Sequence, residues 1–182
     1  MKIISLALAF SLLSLVVSLN EMANGKNRRY VYKYHYRTKK GDTLSKVSRR
    51  FMEPVNKIAR ENGIKNPRSL RVGQKLVVTK RFPVYFEGVT SWYGGFFHGR
   101  KTANGETYNM YELSAAHRTL PFGTEILVEN PKNGRKLRLR INDRGPYIKG
   151  RVLDLSFGAA KELGLVREGK ALVYIKIIHL GG

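Results

Sequence analysis

The side chains of this sequence that could do chemistry are concentrated in loop-like segments of its C-terminal half. Four such segments are 88–94, 99–106, 115–124 and 142–146, and a fifth, 150–156, follows closely. Their carboxylic acids and histidines are Glu106, His117, Asp143 and Asp154. Carboxyl and imidazole groups are those with which proteins most often perform general acid–base catalysis. We therefore look for acid–base chemistry in this half of the chain.

Other kinds of site find no support in the sequence. Cysteine is absent, which excludes disulfides, thiolate metal sites, cysteine nucleophiles and lipidation of an N-terminal cysteine. The four histidines, His35, His98, His117 and His179, do not have the spacing of zinc ligands. No Ser/His/Asp signature, nucleotide motif or glycine-rich phosphate loop is present. We expect no metal and no cofactor.

Alternating apolar and polar residues predict the strands that would position these loops. The alternation is clear at 137–141 and 173–177, and 126–128 forms a third apolar run. Lys132-Asn133-Gly134 lies between two of these runs and predicts a hairpin turn. Only one helix is indicated, with Ser156 as its N-cap. Several strands and one short helix predict a small β-barrel.

The stretch from Tyr34 to Thr79 has a different pattern. Its first four residues alternate like a short strand. Apolar residues at i, i+3 and i+7 from Leu44 predict a helix, and a second apolar stripe after Pro54 predicts another. Leu76-Val77-Val78 then closes the stretch as a strand. The predicted order is strand, helix, helix, strand.

This N-terminal module resembles a LysM domain. The resemblance rests on Tyr34-x-Tyr36, Gly41-Asp42-Thr43-Leu44, Ile58-Ala59, Asn62, Leu70 and Val72-Gly73-Gln74-Lys75-Leu76. LysM domains bind glycans that contain N-acetylglucosamine, such as peptidoglycan and chitin. The resemblance implies that the glycan site is formed by Gly41, Asp42, Thr43, Leu44, Asn62, Gly63 and Ile64. From the residues alone, Asp42 and Thr43 could instead cap the helix that follows, and for Asp42 capping is the favoured interpretation.

The C-terminal segments together resemble the RlpA family, which includes lytic transglycosylases of peptidoglycan. The resemblance covers nearly all of residues 87–178 and rests on the segments named above, in the same order. It implies a six-stranded double-psi β-barrel, a fold that barwin, expansin and some endoglucanase domains share. The expected architecture is an α+β LysM module (βααβ) followed by this mainly-β barrel.

The resemblance implies that Glu106, His117 and Asp143 are the catalytic residues. Glu106, with a pKa raised by burial, would protonate the glycosidic oxygen. The C6 hydroxyl of muramic acid would then attack, giving a 1,6-anhydro sugar, while Asp143 would stabilise the oxocarbenium-like charge. The alternatives are that Glu106 is an exposed turn carboxylate, that Asp143 only forms a salt bridge with a nearby arginine, and that His117 is structural.

Four further residues of the barrel are expected to bind substrate. Trp92 and Tyr93 would stack on sugar rings, unless they belong to the core. Arg144 would pair with the lactyl carboxylate of muramic acid. Asp154 is interpreted as a cap for the helix that starts near Ser156, and it also aligns with an acid that matters in expansins, so it stays a second candidate.

The chain departs from the usual RlpA pattern in its layout and in one motif. Many members begin with a lipidated cysteine and end with a SPOR domain that binds peptide-free glycan strands. This sequence has no cysteine, and a LysM module precedes its barrel. After Glu106 the family usually has Tyr-Asp, whereas this chain has Tyr108-Asn109, so a carboxylate near the acid is missing.

Residues 1–19 are predicted to be an export signal. Lys2 precedes an apolar run from Ile3 to Leu19, and Val16 and Ser18 suit a cleavage site. Left uncleaved, the run would be a membrane anchor. The predicted organisation is a signal or anchor at 1–19, a basic linker at 20–33, LysM at 34–79, a linker at 80–86 and the barrel at 87–180.

The charge of the chain favours polyanionic partners outside the cytoplasm. There are 34 basic and 13 acidic side chains, a net charge of +21. In an exported protein such a balance favours wall polymers over nucleic acid, although it could also serve solubility alone. We expect a location in the periplasm or cell envelope, with peptidoglycan glycan strands as the partner. Contact with a membrane is expected only through an uncleaved N-terminal segment.

Three functions are compatible with these observations. The first is a lytic transglycosylase that cleaves the MurNAc–GlcNAc β-1,4 bond. The second is an expansin-like protein that binds and remodels the wall without catalysis. The third is an exported polyanion-binding or antibacterial protein that uses its charge alone. Glu106 favours the first, because an expansin-type function does not require it.

Overall fold

The computed structural model describes residues 28–68 and 70–182. They form two compact units, one of Arg29–Phe82 and one that contains Pro83–Gly182. Among the described helices, none has the length and apolar character that a membrane span requires. The export signal predicted at 1–19 lies outside the described residues.

The first unit has the predicted order of strand, helix, helix and strand. Its elements are β1 (Arg29–Arg37), α1 (Leu44–Phe51), α2 (Val55–Glu61) and β2 (Lys75–Pro83), and the two strands form one sheet. Apolar side chains from both helices and from β2 are buried together, as the periodicity of the sequence predicts. This small core consists of Leu44, Val47, Ile58, Leu76 and Val78.

Helix α1 is capped by Thr43, not by Asp42. The Thr43 hydroxyl accepts a hydrogen bond from the Lys46 N–H at 3.2 Å. One carboxylate oxygen of Asp42 instead accepts from the Tyr36 hydroxyl at 2.6 Å and from the Lys39 N–H at 2.7 Å. The capping role favoured for Asp42 is therefore wrong, because its side chain closes the turn before the helix.

Parts of both predicted linkers are strands. Residues 29–33 belong to β1, and residues 80–86 lie almost wholly within β2 and the strand that follows it. In β1, half-buried tyrosines such as Tyr30 and Tyr32 alternate with exposed residues. The many charges of this stretch suggested a tether, but they occupy only the exposed face of a strand whose other face is aromatic.

The second unit is a closed barrel of six strands. They are β3 (Tyr85–Tyr93), β4 (Ser114–Ala116), β5 (Glu125–Glu129), β6 (Lys136–Asp143), β7 (Arg151–Ser156) and β8 (Lys170–His179). Their order around the barrel is β3-β7-β4-β6-β5-β8. The pairs β3/β7 and β4/β6 are parallel and the other four are antiparallel. The predicted six-stranded β-barrel is confirmed.

The apolar residues of the barrel strands fill its interior. The alternating residues predicted at 137–141 and 173–177 supply buried side chains, and β5 and β7 supply the others. The largest fully buried ones are Ile126, Leu139, Ile141, Leu153, Leu155, Ile175 and Ile177. Because the interior is packed with apolar side chains, the polar side chains of the candidate site lie in the loops, at strand ends, and at strand positions that alternate with the buried apolar ones.

The predicted C-terminal helix is α3 (Phe157–Glu162), and Ser156 is its N-cap. The Ser156 hydroxyl accepts a hydrogen bond from the Ala159 N–H at 3.2 Å. Asp154 is not a cap, because it lies inside β7 and its side chain points to β3, where its carboxylate accepts from the Ser91 hydroxyl at 2.6 Å. The capping role predicted for Asp154 is therefore wrong.

We predict that Gly88→Ala destabilises the barrel by about 1–3 kcal/mol, because overpacking forces neighbouring atoms apart. A Cβ at Gly88 would lie 2.4 Å and 2.6 Å from the two methyl carbons of Val152 on the adjacent strand. Urea unfolding followed by the fluorescence of the single tryptophan, Trp92, measures the barrel alone. Combining the change with Val152→Ala should recover part of the loss, since it removes both methyl groups.

Gly95→Ala is the matched control for this prediction. A Cβ at Gly95 would meet no atom within 4 Å, and the residue does not have a positive φ. We expect this variant to unfold at nearly the same urea concentration as the unaltered protein. Equal stability losses in Gly88→Ala and Gly95→Ala would show that packing against Val152 is not the cause.

Candidate functional site

Glu106 lies near the tip of a tight hairpin at residues 99–108. The strands of this hairpin are joined by backbone hydrogen bonds from the Gly99 N–H to the Tyr108 carbonyl (2.8 Å) and from the Tyr108 N–H to the Arg100 carbonyl (2.7 Å). At the tip, the Asn104 side-chain oxygen accepts from the Glu106 N–H at 3.1 Å. The Asn-Gly sequence before Glu106 thus forms the turn that presents it.

The Glu106 carboxylate is held in a bidentate ion pair. Arg140 of β6 donates to its two oxygens at 2.7 Å and 2.8 Å, and the Asn142 amide donates to one of them at 3.2 Å. The side chains of Glu106 and Arg140 are each 42% exposed. This ion pair holds the hairpin against the barrel. Because its two residues are far apart in the sequence, no local pattern predicts it.

The environment of Glu106 contradicts the predicted raised pKa. The Arg140 guanidinium, assisted by the Asn142 amide, lowers the pKa of Glu106 to about 2. The expectation of a buried acid is wrong, because the side chain is exposed and bound to a cation, both of which favour the ionised form. In the unliganded protein Glu106 is therefore a carboxylate at any pH near neutrality.

Asp143, the last residue of β6, contacts the same hairpin. One of its carboxylate oxygens accepts hydrogen bonds from the Ala103 N–H at 2.9 Å and from the Arg144 N–H at 2.8 Å. Ala103 lies three residues before Glu106 in the hairpin. The structure therefore brings both acids to one hairpin. Asp143 binds the hairpin backbone, and Glu106 lies near the hairpin tip.

His117 follows β4 and is joined to Asp143 through the backbone. Its N–H donates to the Asp143 carbonyl at 3.2 Å. Its ring Nδ1 accepts from the Thr119 N–H at 3.1 Å and the Leu120 N–H at 2.8 Å. These bonds leave the ring proton on Nε2 and fix the loop that follows, so Nδ1 has the structural role that was one of the two alternatives.

The rings of Trp92 and Tyr93 are engaged in packing. The Trp92 ring meets Phe157 edge-on at 5.5 Å. The Tyr93 ring stacks on Tyr108 at 4.6 Å and meets Phe97 at 5.9 Å. These contacts agree with the alternative that Trp92 and Tyr93 pack within the protein. Burial, with the Asp143 carboxylate nearby, raises the pKa of Tyr93.

Arg144 is committed to the loop around it. Its Nη1 donates to the carbonyls of His117 (3.2 Å) and Leu120 (2.9 Å). Its guanidinium carbon lies 3.6 Å from the centre of the Phe122 ring. These contacts show that Arg144 stabilises the loop at 117–122. Its pairing with the lactyl carboxylate of muramic acid stays a prediction.

Asp154 forms a small network with β3. The Ser91 hydroxyl, which donates to Asp154, itself accepts from the Arg151 guanidinium at 2.6 Å. Arg151 Nε lies 3.7 Å from the same Asp154 oxygen. The second Asp154 oxygen would lie 3.6 Å from a Cβ at Gly145, so this carboxylate lies beside the loop that follows Asp143.

In the first unit, several predicted glycan-binding side chains have structural roles. Leu44 is buried in the core. The Asn62 amide donates to the Ile58 carbonyl (2.8 Å) and the Val77 carbonyl (2.7 Å), and its oxygen accepts from the Val77 N–H (2.7 Å). Asn62 therefore joins α2 to β2. Gly41 has a φ of 82°, which suits the turn before α1.

An open depression of about 750 Å³ lies beside the loop that follows α2. It is lined by Asn62, Gly63, Ile64, Lys65, Asn66, Arg71, Val72, Gly73 and Gln74. Of the predicted glycan-binding residues, those at 62–64 are among its lining and those at 41–44 are not. In the part of the chain that the structure describes, the predicted loop at 62–64 therefore lines this depression. A turn at 71–74, which was not predicted, lines it as well.

Arg140 and Asn142 are the residues of the site that sequence reasoning did not assign. They occur in the alternating strand β6, on the polar face opposite Leu139 and Ile141. The strict alternation of apolar and polar residues in this strand was the available signal. In the described part of the chain, no three His, Asp or Glu side chains cluster as metal ligands would.

Comparisons with known proteins identify the families of both modules. The family described as lytic transglycolase matches residues 85–175, and the LysM domain family matches residues 36–79. A protein of Aquifex aeolicus, "Probable endolytic peptidoglycan transglycosylase RlpA", is 53% identical over 112 residues, which are 62% of this chain and 49% of that protein. The "Endolytic peptidoglycan transglycosylase RlpA" of Campylobacter jejuni is 48% identical over 95 residues, 52% of this chain and 34% of that protein.

A solved structure of an expansin from Clavibacter michiganensis aligns with a TM-score of 0.44 and 19% identity, over 54% of this chain and 52% of that one. The chain spans about half of the Aquifex relative and about a third of the Campylobacter one. The resemblances to LysM and to RlpA are confirmed by the family matches. Because the barrel match covers half of the 182 residues, the chain belongs to the lytic transglycolase family, with a LysM domain preceding its barrel.

Proposed function

We propose that this protein binds glycan strands of peptidoglycan and cleaves their MurNAc–GlcNAc β-1,4 bonds as a lytic transglycosylase. The observation that carries the proposal is the meeting of Glu106 and Asp143 at the hairpin 99–108, within a domain of the lytic transglycolase family. The LysM domain holds the polymer and raises its concentration at the barrel. The export signal predicted at 1–19 and the net charge of +21 support action in the cell envelope.

In the proposed reaction Glu106 first donates a proton and then accepts one. Its protonated carboxyl gives a proton to the glycosidic oxygen, and the bond between that oxygen and C1 of MurNAc breaks. The positive charge that develops at C1 is stabilised by the Asp143 carboxylate. The C6 hydroxyl of the same MurNAc then attacks C1 and returns its proton to Glu106. The products are a 1,6-anhydro-MurNAc end and a free GlcNAc O4 hydroxyl, without consumption of water.

Substrate must release Glu106 from Arg140 for this step to occur. With a pKa of about 2, Glu106 carries no proton near neutrality. Both side chains are 42% exposed, so the Arg140 guanidinium can turn towards a carboxylate of the glycan. Exclusion of water by the glycan then favours the neutral form of Glu106.

The ion pair of Glu106 also favours a second candidate function, which is wall binding without bond cleavage. If Arg140 remains on Glu106 with glycan bound, the carboxyl group cannot act as an acid. The protein would then bind and loosen the wall, as predicted for an expansin-like protein. The two candidates differ in whether new glycan ends appear.

Mass spectrometry of reaction products separates these two functions. The purified chain is incubated with peptidoglycan, both intact and stripped of its peptides by an amidase. We expect muropeptides or glycan fragments that end in 1,6-anhydro-MurNAc. Products with reducing ends would instead identify a hydrolase, and bound but uncleaved glycan would support the second candidate.

A further inference from the structure

Three large aromatic side chains and one arginine near the candidate site remain exposed together. The exposed fractions of Phe96, Phe97 and Tyr111 are 73%, 45% and 67%. The Arg100 guanidinium lies 4.1 Å from the centre of the Phe96 ring and 5.9 Å from that of Phe97. We call these four residues the aromatic patch. Exposed aromatic clusters of this kind are typical of binding surfaces.

The aromatic patch is attached firmly to the barrel. Phe96 and Phe97 belong to a 3₁₀ turn, in which the Phe97 N–H donates to the Gly94 carbonyl at 2.9 Å. Phe97 meets the Tyr93 ring at 5.9 Å, and Tyr111 meets Phe157 of α3 at 6.4 Å. The rings are therefore held in place from below, while their outer surfaces stay in solvent.

The patch is continuous with the hairpin that carries Glu106. Arg100 is a hairpin residue, paired with Tyr108 through the hydrogen bond from the Tyr108 N–H to its carbonyl at 2.7 Å. The next pair towards the tip of the hairpin is Lys101 with Thr107, and Thr107 is the residue that follows Glu106. The patch thus lies at the base of the hairpin and Glu106 at its tip, so one extended polymer can contact both.

The chemistry of the patch matches an anionic aminosugar polymer. An exposed aromatic ring packs against the C–H face of a pyranose, as a flat apolar surface does. The Arg100 guanidinium, stacked on Phe96, leaves its N–H groups for a carboxylate, such as the lactyl group of MurNAc. Apolar faces and a cation side by side suit a glycan strand better than a neutral sugar or a lipid.

We propose that the aromatic patch is an accessory glycan-binding subsite, which holds the part of the strand beyond the bond that Glu106 would cleave. This proposal rests on the proposed function, because it takes the same polymer as its ligand. It assigns sugar stacking in the barrel to Phe96 and Tyr111. The partly buried rings of Trp92 and Tyr93 instead pack against Phe157 and Phe97, which contact Tyr111 and Phe96 in turn.

Residue-resolved NMR on the full chain tests this subsite independently of cleavage. The ¹⁵N-labelled Glu106→Gln variant, in which no turnover is expected, is titrated with peptide-free GlcNAc–MurNAc oligomers. Amide signals of Gly95 and Gly99 report the patch, and those of Gly63 and Lys65 report the LysM domain. We expect both sets to shift. Shifts confined to the LysM set would overturn the subsite.

Substitutions then identify the contacts. Phe96→Ala combined with Tyr111→Ala should weaken the binding read from the Gly95 and Gly99 signals by about tenfold, since stacking is lost. Phe96→Tyr, which keeps a ring, should bind like the parent. Leu172→Ala, a change at another exposed apolar side chain of the barrel, should have no effect. Equal weakening by the Leu172 change would contradict a specific role for the rings.

The role of Arg100 is tested by the charge of the ligand. Arg100→Gln should weaken binding of GlcNAc–MurNAc oligomers but not of GlcNAc oligomers, which carry no carboxylate.

If the patch variants alter only self-association in sedimentation, with glycan affinity unchanged, the patch joins two copies of the chain and the subsite is wrong. If glycan binds the patch but the mass-spectrometric experiment finds no cleavage, only the catalytic proposal fails.

Discussion

We expect Glu106→Gln to abolish the proposed glycan cleavage, with a loss in turnover of about 10³-fold or more. A glutamine keeps the size of the side chain but can neither donate a proton to the glycosidic oxygen nor take one from the C6 hydroxyl. Binding of glycan should persist, because the LysM domain is untouched. The release of anhydro-MurNAc ends over time, normalised to bound protein, measures the effect.

Glu168→Gln is the matched control for this prediction. Glu168 is an exposed carboxylate that, like Glu106, is ion-paired, in its case with Lys132 at 2.7 Å. Lys132 lies in the turn between β5 and β6, at the end of β6 opposite to Asp143. Loss of the Glu168 carboxylate should change turnover less than about twofold, because surface charges away from the reacting atoms contribute little. Retained cleavage in Glu106→Gln would remove Glu106 as the acid and leave Asp143 or Asp154 as candidates.

The element types of the fold were predictable because they depend on local patterns. Alternation at 137–141 and 173–177 gave β6 and β8, and Ser156 marked the start of α3. The order of strands in the barrel is not local. The parallel pairing of β3 with β7 joins residues such as Ser91 and Asp154, 63 positions apart, and no periodicity reveals such a contact. That part of the prediction came from family resemblance.

For the site, the sequence supplied residue identities but not their environments. The separation of 34 positions between Glu106 and Arg140 hides an ion pair that reverses the expected direction of the Glu106 pKa shift. Asp154 failed as a cap for a similar reason. Its position two residues before Ser156 suits a cap, but its side chain is bound across the sheet to Ser91. Hydrogen bonds between distant elements override local preferences wherever side chains meet across the barrel.

The second large effect is expected at Arg140. Arg140→Gln removes the cation that holds the pKa of Glu106 at about 2, so this pKa should rise towards its ordinary value of 4.5. The protonated form is the active one in the proposed reaction. Activity is therefore present below the Glu106 pKa and lost as the pH rises through it. Raising the pKa extends activity to higher pH.

The profile of kcat/KM against pH reports this change, because it reflects ionisation in the free protein. In the parent protein kcat/KM should fall about tenfold per pH unit from pH 3 upward. In Arg140→Gln the fall should begin near pH 4.5, the ordinary value for Glu106. At pH 6 the variant should then exceed the parent on the order of 10²-fold in kcat/KM.

Arg138→Gln is the matched control, since Arg138 lies two residues earlier on the same face of β6 and pairs with Glu125 at 3.6 Å instead. Its pH profile should coincide with that of the parent. If kcat/KM of Arg140→Gln is lower but begins to fall at the same pH as in the parent, Arg140 chiefly binds substrate and another group is the acid. If kcat/KM of Arg140→Gln falls at a higher pH while kcat stays constant, Arg140 lowers the pKa of Glu106 only in the free protein. This is the result expected if bound glycan displaces Arg140 from Glu106.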